Sequence, residues 1–431
     1  MLDIKFIREN AQLIEDGAKK KHLTFDVSKL IEVDDKRKAI SQNIEEKRAK
    51  QNKVSEEIAK AGQSGNSLER GKLIKEMQPL KEEMQKLEEE LKEVMTEWQK
   101  LMVAVPNIPD VSVPEGEDES GNLEVRSWGE IPKFNFEPKS HTEIMLALDL
   151  VDFDRGTKVA GFRGYFLKND AALLSFALWQ FVTDFFSKKR AAENGKWMPM
   201  IVPSLIKREV FLGTGYIPQG EDDLYKTQDG DYLSGTAEVA TMGYFMDEVV
   251  EKKDLPIKVI SFADSFRREA GSYGKDTKGI LRVHEFYKFE QVILCEANHE
   301  ISVKHHEELT KNSEEIMQAL KIPYHVVANC GGDLGLGQVK KYDIEAWLPS
   351  ENKYRETHSA SYFHDFQARR LNIKYRDTDG KLKFVHSLNN TALSGRPLIA
   401  ILENNQQADG SVIIPEVLRP YMGGRDRISK K

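Results

Sequence analysis

The chain has 431 residues, 40% of them hydrophobic, with 63 Lys and Arg against 70 Asp and Glu for a formal net charge of -7. That length exceeds one hydrophobic core and predicts two or three domains; the apolar share excludes wholesale disorder, and no run reaches the roughly 18 apolar residues of a membrane helix. Two cysteines, Cys295 and Cys330, exclude a disulfide scaffold and a four-cysteine zinc site, while the net acidity disfavours indiscriminate nucleic-acid binding without excluding local basic patches.

The N-terminus mixes charges from residue 3 onward, unlike a secretory signal, so a reduced, cytoplasmic protein is the default expectation. Residues 1–25 read as one short amphipathic helix through Ile4, Ile7, Leu13 and Ile14. Residues 1–100 hold 21 basic and 21 acidic side chains, so the whole net charge of -7 lies beyond them. Dense but balanced charge marks long solvent-exposed helices laced with opposite-sign pairs.

A heptad seam runs through Leu73, Met77, Leu80, Met84, Leu87, Leu91, Val94, Trp98 and Leu101, at alternating spacings of four and three. A second passes through Leu30, Val33, Arg37, Ile40, Ile44, Lys47, Gln51, Val54, Ile58 and Ala61, seven of the ten being apolar. Between them Gly62-Gln63-Ser64-Gly65-Asn66-Ser67 reads as a turn, with Ser67 as the helix N-cap. Two helices of this length make an antiparallel arm on the order of 50 Å long. Pro79 falls inside the second helix and predicts a kink or break. Such an arm is either a structural or dimerising coiled coil or a device that reaches a distant partner. Proline, glycine and a block of acids over 105–122 then make a linker. The organisation expected is a domain over 1–104 with its arm at about 28–101, the linker, and a mixed helix-and-strand body over 123–431.

Within the body, 259–268 and 282–294 have strand character and flank a loop holding Gly271, Gly274, Gly279, Lys275 and Lys278. Arg267 and Arg282 are expected at opposite ends of this hairpin, facing a common site. Planar guanidinium forks match polyphosphate oxygens bidentately. Phe286 and Glu290, four apart, share a strand face, suited to stacking an adenine and holding an ammonium. Arg396 stands between a glycine turn and a helix start, a further phosphate partner. No Walker A loop or dinucleotide fingerprint occurs, so side chains must hold any nucleotide. His284, His358, His364 and His386 lack convincing metal-ligand spacing.

Phe266-Arg267-Arg268-Glu269 and the hairpin after it resemble motif 2 of the class II aminoacyl-tRNA synthetases. Gly395-Arg396 leading into Leu398-Ile399-Ala400-Ile401-Leu402-Glu403 resembles motif 3, and Trp197-Met198-Pro199-Met200-Ile201-Val202-Pro203 resembles motif 1, the dimer-building segment. Thr236-Ala237-Glu238, Tyr354-Arg355-Glu356-Thr357-His358-Ser359, Asp365-Phe366-Gln367-Ala368-Arg369-Arg370 and Pro415-Glu416-Val417-Leu418-Arg419-Pro420-Tyr421, together with the arm, resemble bacterial-type seryl-tRNA synthetases over essentially the whole chain. The run from Asn389 to Arg396 is one residue shorter than the common family spacing, and Gly235 stands where proline is frequent.

The resemblance implies an α+β fold, a helical-hairpin arm plus a catalytic domain built on an antiparallel β-sheet flanked by helices. It implies ATP-dependent attachment of L-serine to tRNA(Ser) through a seryl-adenylate, and to tRNA(Sec) where present. Arg267, Glu356 and Arg396 are the implied catalytic residues. Arg267, Glu269, Arg282, Val283, Phe286, Glu356, Ser359 and Arg396 would hold ATP, with Glu356 and Ser359 as ligands of Mg²⁺ and no zinc expected. Thr236, Glu238, Arg267, Glu290, Asn389 and Thr391 would hold serine. On the arm, Lys47, Arg48, Lys50, Lys53 and Lys60 are the candidate tRNA contacts, with balancing of neighbouring glutamates as their alternative role. A homodimer follows, the arm of one subunit serving the other's site, with no membrane partner. The competing readings are a ligase that charges a carrier protein, a catalytically inactive paralogue that binds RNA or protein, and a coiled-coil scaffold. The first predicts a missing arm and a ligand cysteine, the second the loss of Arg267, Glu356 or Arg396, and the third leaves the arginines unexplained.

Overall fold

The computed structural model describes residues 2–271, 274 and 276–430. It divides into two compact units, one of residues 2–19 and 23–106, the other of residues 20–22 and 107 onward.

In the first unit the N-terminal segment is two helices rather than one, α1 (Ile4–Glu9) and α2 (Ala11–Lys20). Asn10 separates them by leaving helical geometry at φ -131° and ψ 39°. Ile7 and Ile14 are buried, whereas Leu13 is 44% exposed. The arm follows as α3 (Val27–Gln63) and α4 (Ser67–Ala104). All nine positions of the α4 seam and all ten of the α3 register are buried or half-buried, so the heptads locate the interface correctly. Arg37, polar within the seam, lies over the Trp98 ring at 4.9 Å and binds Asp34 at 2.8 Å. Asp34 is fully buried and also meets Arg8 and Lys38, so three cations surround one carboxylate. Burial alone would raise that carboxyl, but Lys38 and Arg37 outweigh it and hold it below the ordinary value. The N-cap of α4 is Asn66, whose side chain accepts from the Glu69 amide at 3.2 Å, and not Ser67, which is already helical. Pro79 does not break α4, which is continuous through it.

The second unit is built on an eight-stranded sheet. In chain order its strands are β1 (Leu123–Trp128), β2 (Trp197–Ile201), β3 (Ile257–Phe266), β4 (Glu285–Cys295), β5 (Tyr324–Ala328), β6 (Lys340–Leu348), β7 (Lys353–His364) and β8 (His386–Leu393). Across the sheet the order is β1-β5-β6-β7-β8-β4-β3-β2. Neighbours are antiparallel except at one edge, where β2 runs parallel to β3. The helices Asn169–Ala192 and His299–Ala319 contribute Leu174, Val182, Leu309 and Ile316 to the core against Ile293, Leu388 and Leu393. Side chains of this size are each worth roughly 1.5–3 kcal/mol when fully buried. Strand β8 (HSLNNTAL) is buried at every position despite its polar composition. Several of its polar groups are bonded, Asn390 donating to the Leu309 carbonyl at 2.6 Å and Ser387 to Gln367 at 2.7 Å, while Asn390 Oδ1 has no hydrogen-bond partner among the described residues. No helix among the described residues is long and apolar enough to cross a membrane.

Candidate active site

Strand β3 ends at Phe266 and β4 begins at Glu285, so Arg267 and Arg282 both lie in the connection. They therefore flank the same end of the hairpin and not opposite ends, because pairing stops one residue before Arg267. The Arg267 amide donates to the His284 carbonyl at 3.0 Å, and its guanidinium lies 5.6 Å from the centre of the Phe286 ring. Gly235 approaches that side chain closely: a Cβ there would lie 3.1 Å from Arg267 Cγ and Nε. Glu269 adopts φ +57°, uncommon for a residue with a Cβ, and accepts from Arg282 at 2.7 Å. Asp276 receives Arg282 at 3.5 Å and Arg355 at 2.5 Å. Lys275, singled out in this loop, lies outside the described residues. Arg267, Glu269, Arg282, Val283, Phe286, Glu356 and Arg396 line one cleft together.

Glu356 on β7 and Arg396, at the start of the helix Arg396–Asn404, meet at 3.1 Å, and the same guanidinium donates to the Glu356 carbonyl at 2.8 Å. Burial raises the Glu356 carboxyl, but Arg396, Lys341 and Arg267 overcome that and hold it down to about 2. It is therefore an anion at neutral pH. His141 ties this helix to the hairpin loop. Its Nδ1 lies 2.9 Å from Glu403, and its Nε2 accepts from the Ile280 amide at 3.4 Å, two residues before Arg282.

A second cavity, of about 410 Å³, opens beside the first and shares Arg267, Lys288, Glu356 and Thr391 with it. Glu238, Glu290, Ser359 and Asn389 also line it. Thr236 caps the helix Ala237–Tyr244 by accepting from the Glu238 amide at 3.3 Å, and its hydroxyl reaches Glu290 at 3.4 Å. Glu290, 2% exposed, also accepts from Thr391 at 3.4 Å and pairs with Lys288 at 2.8 Å. Glu238 accepts from Tyr216 at 2.8 Å and from Gln367 at 2.7 Å, both neutral donors. Two buried carboxylates are thus held toward one polar space. Lys341 adds a cation there, paired with Asp343 at 3.1 Å.

Sequence reasoning missed Tyr216, Lys288, Lys341, Gln367 and His141. Lys288 and Gln367 stood inside stretches already singled out, and the others had no local signal. The histidines named in the sequence serve the frame: His284 Nδ1 lies 3.0 Å from the Arg267 carbonyl, His386 bonds Ser302 at 2.8 Å, and His364 meets His299 at 3.2 Å. Burial pushes the buried His358 down to about 4, so it is neutral.

On the arm, Lys47 pairs with Glu83, and Arg48 with Glu88 at 3.0 Å, across the hairpin. Lys50, Lys53 and Lys60 are exposed and have no ion pair among the described residues.

Two family models match this chain: "tRNA synthetase class II core domain (G, H, P, S and T)" over residues 224–405, and "Seryl-tRNA synthetase N-terminal domain" over residues 1–109. The serine–tRNA ligase of Deinococcus radiodurans is 42% identical over 428 residues, covering 99% of this chain and 98% of that protein. That of Petrotoga mobilis is 45% identical over 426 residues, covering 98% and 99%. Among solved structures, the seryl-tRNA synthetase from Pyrococcus horikoshii complexed with ATP aligns with a TM-score of 0.88 at 37% identity, covering 100% of both chains.

Proposed function

The chain belongs to the seryl-tRNA synthetases, and from that premise we propose that it activates L-serine with ATP to a seryl-adenylate and transfers the seryl group to tRNA(Ser). The observation that carries this reading is the pair of joined cavities, one rich in arginine and one lined by two buried carboxylates, meeting at Arg267. Cations on one side suit a polyphosphate; carboxylates and hydroxyls on the other suit an amino acid's ammonium and side-chain oxygen. Arg267, common to both, bridges the serine carboxylate and the α-phosphate, neutralising charge as the carboxylate oxygen attacks phosphorus and pyrophosphate leaves. Glu269 reads the adenine amino edge, and Phe286 stacks on the ring beside Val283. Arg282 and Arg396 hold the outer phosphates.

Glu238 and Glu290 receive the α-ammonium, Thr236 sits at the same wall, and Asn389 and Thr391 lie near the side-chain hydroxyl. A site that hydrogen-bonds a hydroxyl rejects alanine strongly, because its own polar groups would be left unpaired. Threonine has to be rejected by lack of space for its methyl. No general base is needed in the first step, since positioning and charge neutralisation supply the catalysis. The tRNA 3′-hydroxyl then attacks the adenylate carbonyl.

Mg²⁺ fits this site: Glu356 and Ser359 offer hard oxygen donors to one cavity. Asp343, opposite Ser359 in the ladder, has a buried Oδ1 without a hydrogen-bond partner among the described residues. Glu356 and Ser359 would hold the ion, whose chemistry is to offset the charge on phosphate oxygens.

The arm lies along the tRNA and reads its shape and backbone more than its bases, which extends the reading to tRNA(Sec) where that tRNA exists. Residues 1–104 then form the tRNA-binding domain and the body from residue 123 the catalytic one, in a cytoplasmic homodimer.

The test is serine-dependent exchange of pyrophosphate into ATP. Exchange should appear with serine and fall roughly 100-fold or more in Arg267→Ala. Absence of exchange with every amino acid would overturn the enzyme reading.

A further inference from the structure

One buried lysine of the second unit comes from outside the continuous stretch that makes up the rest of it. Lys21, in the segment of residues 20–22, is 2% exposed. Its ammonium donates to three main-chain carbonyls, Gly335 at 3.0 Å, Leu336 at 2.9 Å and Gln338 at 2.6 Å. An ammonium has three N–H groups, and all three are used. No carboxylate pairs with it among the described residues.

Asn107 completes the arrangement. Its amide donates to the Leu336 carbonyl at 2.9 Å, and its side chain donates to Gly337 at 3.0 Å and to Phe363 at 2.8 Å. Four consecutive carbonyls, 335 to 338, are therefore all bound to just two residues. Gln338 locks the turn from within, accepting from the Gly335 amide at 2.6 Å and donating to Ser361 at 2.8 Å. Gly337 leaves no slack, since a Cβ there would lie 2.6 Å from the Phe366 ring. The same residues 335–338 line the 410 Å³ cavity that holds Glu238 and Glu290.

We infer that Lys21, assisted by Asn107, is a positioning residue for the amino-acid pocket: by gathering the carbonyls of loop 335–338 it fixes one wall of that cavity. This rests on the reading of the cavity as the serine pocket. Excluding a methyl group by lack of space requires a wall that does not yield, and misplacement of about 1 Å by a distant change is enough to cost activity. Without the ammonium, the Gly335 and Gln338 carbonyls lose their donor, the Leu336 carbonyl keeps only the Asn107 amide, and the loop is released to shift. The cleft lined by Arg267, Glu269, Phe286 and Arg396, read above as the ATP site, includes none of this loop.

The experiment is amino-acid-dependent pyrophosphate exchange on the full chain with Lys21→Met, Lys21→Arg and Asn107→Ala. Lys21→Met should raise the KM for serine roughly tenfold or more while the KM for ATP stays within about twofold, and the threonine-to-serine ratio of kcat/KM should rise. Lys21→Arg, which keeps a cation with donors, should recover part of the loss. Asn107→Ala should reproduce the pattern more weakly and stands in if Lys21→Met does not fold. Unchanged serine KM and unchanged discrimination in a folded variant overturn the inference, as does an equal rise in the KM for ATP. Absence of serine-dependent exchange in the unaltered protein would instead overturn the functional reading on which the inference rests.

Discussion

Burial pushes the Glu290 carboxyl above its ordinary value, and the Lys288 ammonium 2.8 Å away pulls it back. An α-ammonium is bound well only when this carboxyl is ionised. The KM for serine should therefore fall as pH rises through the raised value, read from exchange kinetics across a pH series. Glu290→Gln should flatten that profile and raise the KM roughly 10- to 100-fold, since a hydrogen bond to a charged group is worth about 1.5–3 kcal/mol. A profile unchanged in Glu290→Gln would assign the titration elsewhere. At this scale Arg267, Glu269, Glu356 and Arg396 are legible in the sequence because each stands in a short motif. Gln367 is not legible as a site residue, because it meets Glu238 across 129 positions of chain. Nor is Lys288, which alternation along β4 presents as an ordinary strand lysine. The misjudged ends of the hairpin have a simple origin: strand propensity does not say where pairing stops.

The arm is the most legible element, because a seam of period 3.5 fixes both the helix type and the face that is buried. Its N-cap falls one residue before the serine expected, since serine and asparagine both suit the position and only geometry separates them. The proline causes no break, as tertiary packing along the seam overrides a single missing amide donor. The basic side chains sort into two groups. Lys47 and Arg48 are engaged by Glu83 and Glu88, as expected for charge balance. Lys50, Lys53 and Lys60 are exposed without an ion pair among the described residues, and are the proposed phosphate contacts. Replacing these three by Ala should weaken tRNA binding and lower the slope of log K against log salt by roughly 0.7–0.9 for each phosphate no longer neutralised. Serine-dependent pyrophosphate exchange should not change. If Lys47→Ala and Arg48→Ala reduced the salt slope as much, the sorting by ion pairs would be wrong.

At the scale of the whole molecule, the parallel edge strand β2 borders an apolar groove of about 650 Å³ lined by Trp179, Trp197, Ile201, Phe262 and Phe289. Ile201 is 88% exposed, which is costly for a large apolar side chain unless another surface covers it. A second copy is the cover proposed, so Ile201→Asp should shift sedimentation from twice the chain mass toward the chain mass. Unaltered sedimentation at twice the mass would remove this face from the interface. Phe289 lines the groove, and its neighbour Glu290 lines the 410 Å³ cavity, on one strand. Trp179 borders both the groove and the cleft lined by Arg267, Glu269 and Arg396. If two copies pair there, association and substrate binding would draw on adjacent residues of β4 and on Trp179 of the helix Asn169–Ala192, and linkage would make the effect reciprocal: pairing that tightens serine binding is tightened by serine by the same factor. Under that coupling, protein concentration would itself be an effector of the site, with dilution weakening the hold on substrate before any fold is lost.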